Sequence, residues 1–226
     1  ISQFFGWDYP EYQDVEMRTK STAAAIRLMA DCREYGTLIH SNLDDGYGNA
    51  AGDLGLLAGC ALLEKYLIEE LLHAKLAHSF GDMFHSPFKR LVFLSALKKI
   101  HKGSMTGSMI FTNKLGRNHR DKGLNTAHLS ECLLCDMAGQ FLYRTGHAIT
   151  TMADGGLTAD VTAEEIVRTL EYARELEAYV PEYAKMIDRD RIDETADKVV
   201  ERGELFLEHV LKALGERIDI RDPYEM

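Results

Sequence analysis

Residues 36–49 read "GTLIHSNLDDGYGN": an apolar pair, Leu38 and Ile39, breaks off into His40, Ser41 and Asn42, then into two acids and two glycines. A short apolar run that stops at polar and turn-forming residues reads as a buried strand delivering its end to a loop. The next segment of chain has another period. Leu63, Leu67 and Leu71 recur every four residues, with Glu64, Lys65, Glu69 and Glu70 on other faces, which is the pattern of a helix. The same layout returns at 76–81 ("LAHSFG"), 108–113 ("SMIFTN") and 147–152 ("HAITTM"). Helix starts are marked too. Ser86-Pro87 supplies a capping residue and a proline for the first turn, and Thr162 with Glu165 forms a capping box before Ile166, Val167 and Leu170.

Repeated strand–helix units predict a parallel sheet, because parallel strands cannot be joined by tight turns and need helical crossovers. The fold class is therefore α/β. With "ISQFF" at the start, the reading contains five strands, a helix around Met17 to Met29, and further helices over 162–178, 181–189 and 193–214. A TIM-type β/α barrel takes ~250 residues, so a chain of 226 fits part of one, with 1–180 as the C-terminal half of the barrel and 181–226 as a helical appendage. Five strands also fit an open doubly wound sheet. The chain opens without methionine on what reads as the end of a strand, which suggests a fragment whose N-terminal barrel half lies elsewhere.

Composition narrows the partners. With 46% hydrophobic residues the chain can bury a substantial core, and a formal charge of −10 with a pI near 5.4 argues against nucleic acid. One short basic loop, "NKLGRNHRDK" at 113–122, reads as a solvated connection. No apolar run reaches bilayer length and no signal-peptide pattern opens the chain, so the expectation is a soluble, cytoplasmic protein without a membrane partner. Cys32, Cys60, Cys132 and Cys135 sit in apolar helical contexts; "CLLC" has redox spacing, but without a strand just before it, it reads as packing. No GxGxxG or Walker-type loop follows a strand.

In either architecture ligands gather at the carboxyl ends of the strands. The residues expected there are His40, Ser41, Asn42, Asp44 and Asp45; His78, Ser79 and Asp82; Thr112, Asn113 and Lys114; and Thr150, Thr151 and Asp154. Asp44 reads as the cap of a helix starting near Asn49.

The motifs "NLDDGYGNAAGD", "LAHSFGDM", "PFKRLVFLSALKKIH" and "SMIFTN", with the run from Ala127 to Ala173, resemble the large subunit of lysine 5,6-aminomutase and the related ornithine 4,5-aminomutase. The resemblance covers about residues 15 to 214 and corresponds to the C-terminal half of that family's barrel. It implies an isomerase: an adenosylcobalamin-dependent radical 1,2-amino shift on a basic amino acid such as lysine or ornithine, with pyridoxal phosphate as second cofactor. The family's acid for the substrate's charged head group falls on Asp45, and a strand-end carboxylate suits an ammonium. Asn42, His78 and Lys114 complete the expected substrate contacts; Phe5, near the family's ring-stacking tyrosine, with Asn113, Thr151 and Asp154 forms the expected cofactor side. The family's substrate lysine falls on Ile110, its arginine beside the tyrosine has no counterpart, and the cobalamin signature D-x-H-x-x-G is absent. Cobalamin would come with a Rossmann-like partner subunit.

Two alternatives stand beside this. His40 and His78 on consecutive strands, with Asp154 after the last, follow the ligand order of a metal-dependent hydrolase of amidohydrolase-like barrel type. The missing lysine and arginine also fit a non-catalytic barrel subunit.

Overall fold

The strand read from "GTLIHSN" is the first of four in a parallel sheet of order β1-β2-β3-β4, comprising β1 (Leu38–Asn42), β2 (Lys75–Phe80), β3 (Gly107–Phe111) and β4 (Ala148–Thr150). The coordinates are a computed structural model that describes residues 14–44, 52–81, 86–104, 107–111, 122–150 and 162–222. All four strands lie where the apolar runs placed them; the further strand expected in "ISQFF" lies outside the described residues. Among the described strands the order is sequential and contains no reversal. By contacts the chain forms two compact units, Ile1–Ser79 with Asp197–Met226, and Phe80–Ala196. The boundary expected at residue 180 falls inside the second unit.

In the first unit, helix α1 (Val15–Asp31) starts at Asp14, whose carboxylate accepts from the Glu16 N–H at 2.9 Å. Its Ile26 and Ala30, one turn apart, meet Ile39 of β1, Leu76 of β2, and Ile68 and Ala74 in a single apolar cluster. Helix α2 (Leu54–Lys65), continued by a π-helical stretch (Tyr66–Leu71), is the crossover from β1 to β2. Asp53 caps it, accepting from the Gly55 N–H at 2.7 Å; the helix start near Asn49 that Asp44 is expected to cap lies outside the described residues. The strands pair in register, Ile39 with Leu76, Ser41 with His78 and Asn42 with Ser79. Against α2 packs the C-terminal part of the long helix α7 (Arg189–Gly215). A Cβ on Gly59 would lie 2.4 Å from the Phe206 ring, and one on Gly203 2.9 Å from the Ala58 carbonyl carbon, so the two glycines permit a close helix crossing. Tyr66 Oη adds a hydrogen bond to the Ile220 carbonyl at 2.8 Å.

In the second unit, α3 (Pro87–Ile100) connects β2 to β3, and α4 (Lys122–Tyr143) connects β3 to β4. Residues 90–97 of α3 are all buried. Cys132 and Cys135 are buried in α4, and the Cys135 Sγ donates to the Pro87 carbonyl at 3.4 Å. Helix α5 (Ala163–Glu177) opens on the expected capping box, with the Glu165 N–H on Thr162 Oγ1 and the Glu165 carboxylate on the Thr162 N–H. On this helix Ile166, Val167 and Leu170 are exposed and Thr169 is buried. A capping box fixes where a helix begins, but not which side a neighbouring helix will cover. Short helix α6 (Val180–Lys185) packs Val180 and Ala184 on Ala138 of α4. The Asp193 carboxylate on α7 accepts from Ser95 Oγ of α3 at 2.6 Å.

Gly81, at φ +142°, passes so near β3 that a Cβ would lie 2.2 Å from the Phe111 oxygen and 2.7 Å from its nitrogen. Both atoms are backbone and cannot swing away. Gly81→Ala is expected to cost roughly 3 kcal/mol or more, whereas Gly36→Ala, also left-handed at φ +78° but in open space, should cost about 1 kcal/mol. Urea unfolding of the two variants measures the difference.

Candidate functional site

The alternation of side chains along a strand divides the polar residues of β1 and β2 into two sets. Ile39 and Leu76 face the helices, so Ser41 and His78, two residues on and paired with each other, share that face. His40, Asn42 and Ser79 occupy the opposite face.

On this second face the three side chains form one network at the carboxyl end of the strands. His40 Nε2 lies 3.0 Å from Asn42 Oδ1 and 3.3 Å from Ser79 Oγ. The Ser79 hydroxyl reaches both Asn42 Oδ1 and, at 3.1 Å, the Ser41 carbonyl. An amide oxygen can only accept, so the hydrogen of the His40–Asn42 bond sits on His40 Nε2. A nitrogen in that state cannot take a proton from Ser79, and this is not an activated serine. The network is rich in acceptors instead. The Leu43 N–H donates to the Ser79 carbonyl at 2.8 Å, which carries the β1–β2 ladder one rung past the strand. Asp44 comes immediately after and is only 2% exposed, a carboxylate drawn in at the exit of β1.

Behind the network, on the helix face, Glu64 of α2 takes both remaining polar side chains. Its Oε1 accepts from Ser41 Oγ at 2.7 Å, and its Oε2 lies 2.9 Å from His78 Nδ1. Glu64, Ser41 and His78 are each at most 1% exposed. The sequence puts His78 among the substrate contacts; the fold places it under the helix layer instead, with Nδ1 2.9 Å from Glu64 Oε2. His40 and His78 therefore do not converge on one ion. Among the described residues no group of three or more His, Cys, Asp or Glu is arranged to hold a metal. Asp45, Asp82, Thr112, Asn113, Lys114, Phe5, Thr151 and Asp154 lie outside the described residues. Thr150 closes β4 in register with Phe111.

The second unit holds a buried ion pair that no motif in the sequence marks. Arg90, in the first turns of α3, donates through Nε and Nη2 to the two carboxylate oxygens of Asp136 on α4, each at 2.6 Å. Nη1 donates to the Gly81 carbonyl at 2.8 Å and Nη2 to the Phe111 carbonyl at 2.6 Å. One guanidinium thus ties two strand-end carbonyls to two helices. Burial alone would lower Arg90, but the Asp136 carboxylate holds it above its ordinary value. Burial pushes the Asp136 carboxyl up and Arg90 pulls it back. The forked geometry is that of the ionised pair. The only signal is a lone arginine at the start of the apolar run "LVFLSAL", and nothing local tells such a residue from a solvated one.

Compared with models of protein families, with curated proteins and with solved structures, the chain matches none.

Burial, and secondarily the Glu64 carboxylate one turn along α2, push the Cys60 thiol from an ordinary 9.0 up to about 12. The unfolded chain gives up this proton near pH 9 and the folded chain only near 12, so the contribution of Cys60 to stability is complete below 9 and lost as pH rises between those values. The parent protein is expected to lose roughly 1 kcal/mol per pH unit above 9 relative to Cys60→Ala, measured by urea unfolding at a series of alkaline pH values.

Proposed function

We propose that this chain is the substrate-binding part of an adenosylcobalamin-dependent aminomutase, acting on a basic amino acid such as lysine or ornithine. The observation that carries the reading is the strand-end network of the first unit. Asn42 Oδ1, the Ser41 carbonyl and the drawn-in Asp44 cluster acceptors at the exit of β1, and Asp45 is the next residue. A strand-end carboxylate suits an ammonium through a charge-assisted hydrogen bond. The sequential parallel sheet of an α/β chain supports the same reading at the level of architecture.

On this proposal adenosylcobalamin, carried by a Rossmann-like partner subunit, supplies the radical, and pyridoxal phosphate supplies the hold on the migrating amine. The residues expected on the cofactor side lie outside the described residues. What the described residues do is orient: His40 and Ser79 hold the Asn42 amide oxygen at the end of β1. A hydrolase would need His40 and His78 on one metal, and their opposite sheet faces do not offer it.

In the complete enzyme with its cobalamin-bearing partner, Asp45→Asn should lower kcat/KM for lysine or ornithine by roughly 1.5–3 kcal/mol, about one to two decades. Normal turnover by this variant would overturn the role of Asp45. Failure of the parent complex to convert either amino acid would overturn the reading itself.

A further inference from the structure

We infer that Glu64 is a positioning residue of the strand-end network, acting through Ser41 and His78. The inference deepens the cationic-substrate reading for what the network binds, while the coupling stands on the geometry alone.

A carboxylate on an apolar helix that packs against a sheet is costly, because removing an ion from water costs several kcal/mol unless partners replace the lost hydration. Glu64 is 1% exposed; its Oε1 accepts from Ser41 Oγ of β1 at 2.7 Å, and its Oε2 lies 2.9 Å from His78 Nδ1 of β2, a close contact without hydrogen-bond geometry. Ser41 and His78 are register partners, so a single carboxylate closes a bridge across the β1–β2 pair from behind. The next rung, Asn42 with Ser79, belongs to the network on the other face.

Two covalent links carry the bridge forward. Ser41 offers its hydroxyl to Glu64 and its own carbonyl to Ser79 Oγ, so one residue is bound on both faces of the sheet. His78 is joined to Ser79 by a peptide bond within β2, so a displacement of its ring against Glu64 is passed to the backbone that carries Ser79. Asn42 is likewise the residue after Ser41. If Glu64 lets go, the two strands keep their backbone ladder but lose the clamp that fixes their mutual rotation at this rung. The His40–Asn42–Ser79 distances of about 3 Å are then no longer imposed.

The test uses Glu64→Gln, which keeps the shape of the side chain and one acceptor, with Ser41→Ala as a milder second variant should the first fold poorly. Cys60→Ala, buried one turn earlier on α2 and outside the network, serves as the control for helix destabilisation. In spectra of the full chain without ligand, the Asn42 side-chain amide and the His40 ring nitrogens should shift or broaden in Glu64→Gln and Ser41→Ala, and stay in place in Cys60→Ala. Unmoved Asn42 and His40 signals in a folded Glu64→Gln would overturn the inference. With L-lysine as the probe in calorimetry, the dissociation constant should rise about tenfold in Glu64→Gln and stay within twofold of the parent in Cys60→Ala. Weakening by Asp45→Asn without weakening by Glu64→Gln would sink the positioning role and leave the cationic-substrate reading intact. A parent chain that does not bind lysine would sink that reading, and the resonance shifts would still decide the coupling.

Discussion

A parallel strand runs straight out of its sheet, and the polar groups at its end must be met by whatever the crossover helix brings back. In each unit a helix-borne, buried carboxylate meets this requirement. In the first, Glu64 of α2 takes Ser41 and His78. In the second, Asp136 of α4 holds Arg90, whose remaining donors take the Gly81 and Phe111 carbonyls. Neither carboxylate could be tolerated alone at its burial, and neither strand end could be left unpaired without a cost of about 1–3 kcal/mol per group. Each arrangement therefore ties a buried carboxylate on a helix to a residue of another element.

Period-two alternation then sorts the chemistry. Along "HSN" of β1 and "HS" of β2, neighbouring residues in sequence have opposite tasks: His40, Asn42 and Ser79 build the acceptor network, and Ser41 and His78 fasten it from the helix side. Two histidines that look equivalent in the sequence, each before a serine near the end of an apolar run, are separated by one residue of register. That single offset puts the two histidines on opposite faces of the sheet, so they do not meet on one ion.

Close approach is handled by glycine in both units. Gly81 lets the chain leave β2 against the backbone of Phe111, and Gly59 with Gly203 lets α2 and α7 cross near contact. These positions explain why some glycines stand inside otherwise regular elements, where they weaken the element taken by itself.

The sequence alone determined the alternation of strands and helices, the four strand positions, the proline start of α3 and the capping box of α5, because each of these depends on residues within a few positions of one another. It also determined that polar groups end β1 and β2. Only the tertiary structure decided which face each of them takes, that Ile166, Val167 and Leu170 of α5 stay exposed, and that Arg90 finds Asp136 across 46 positions of chain. The reason is one of range. Caps and periods are set by hydrogen bonds and side-chain spacing along one segment, whereas facing, burial and ion pairing are set by which segment arrives from far along the chain, and the local pattern carries no record of that arrival.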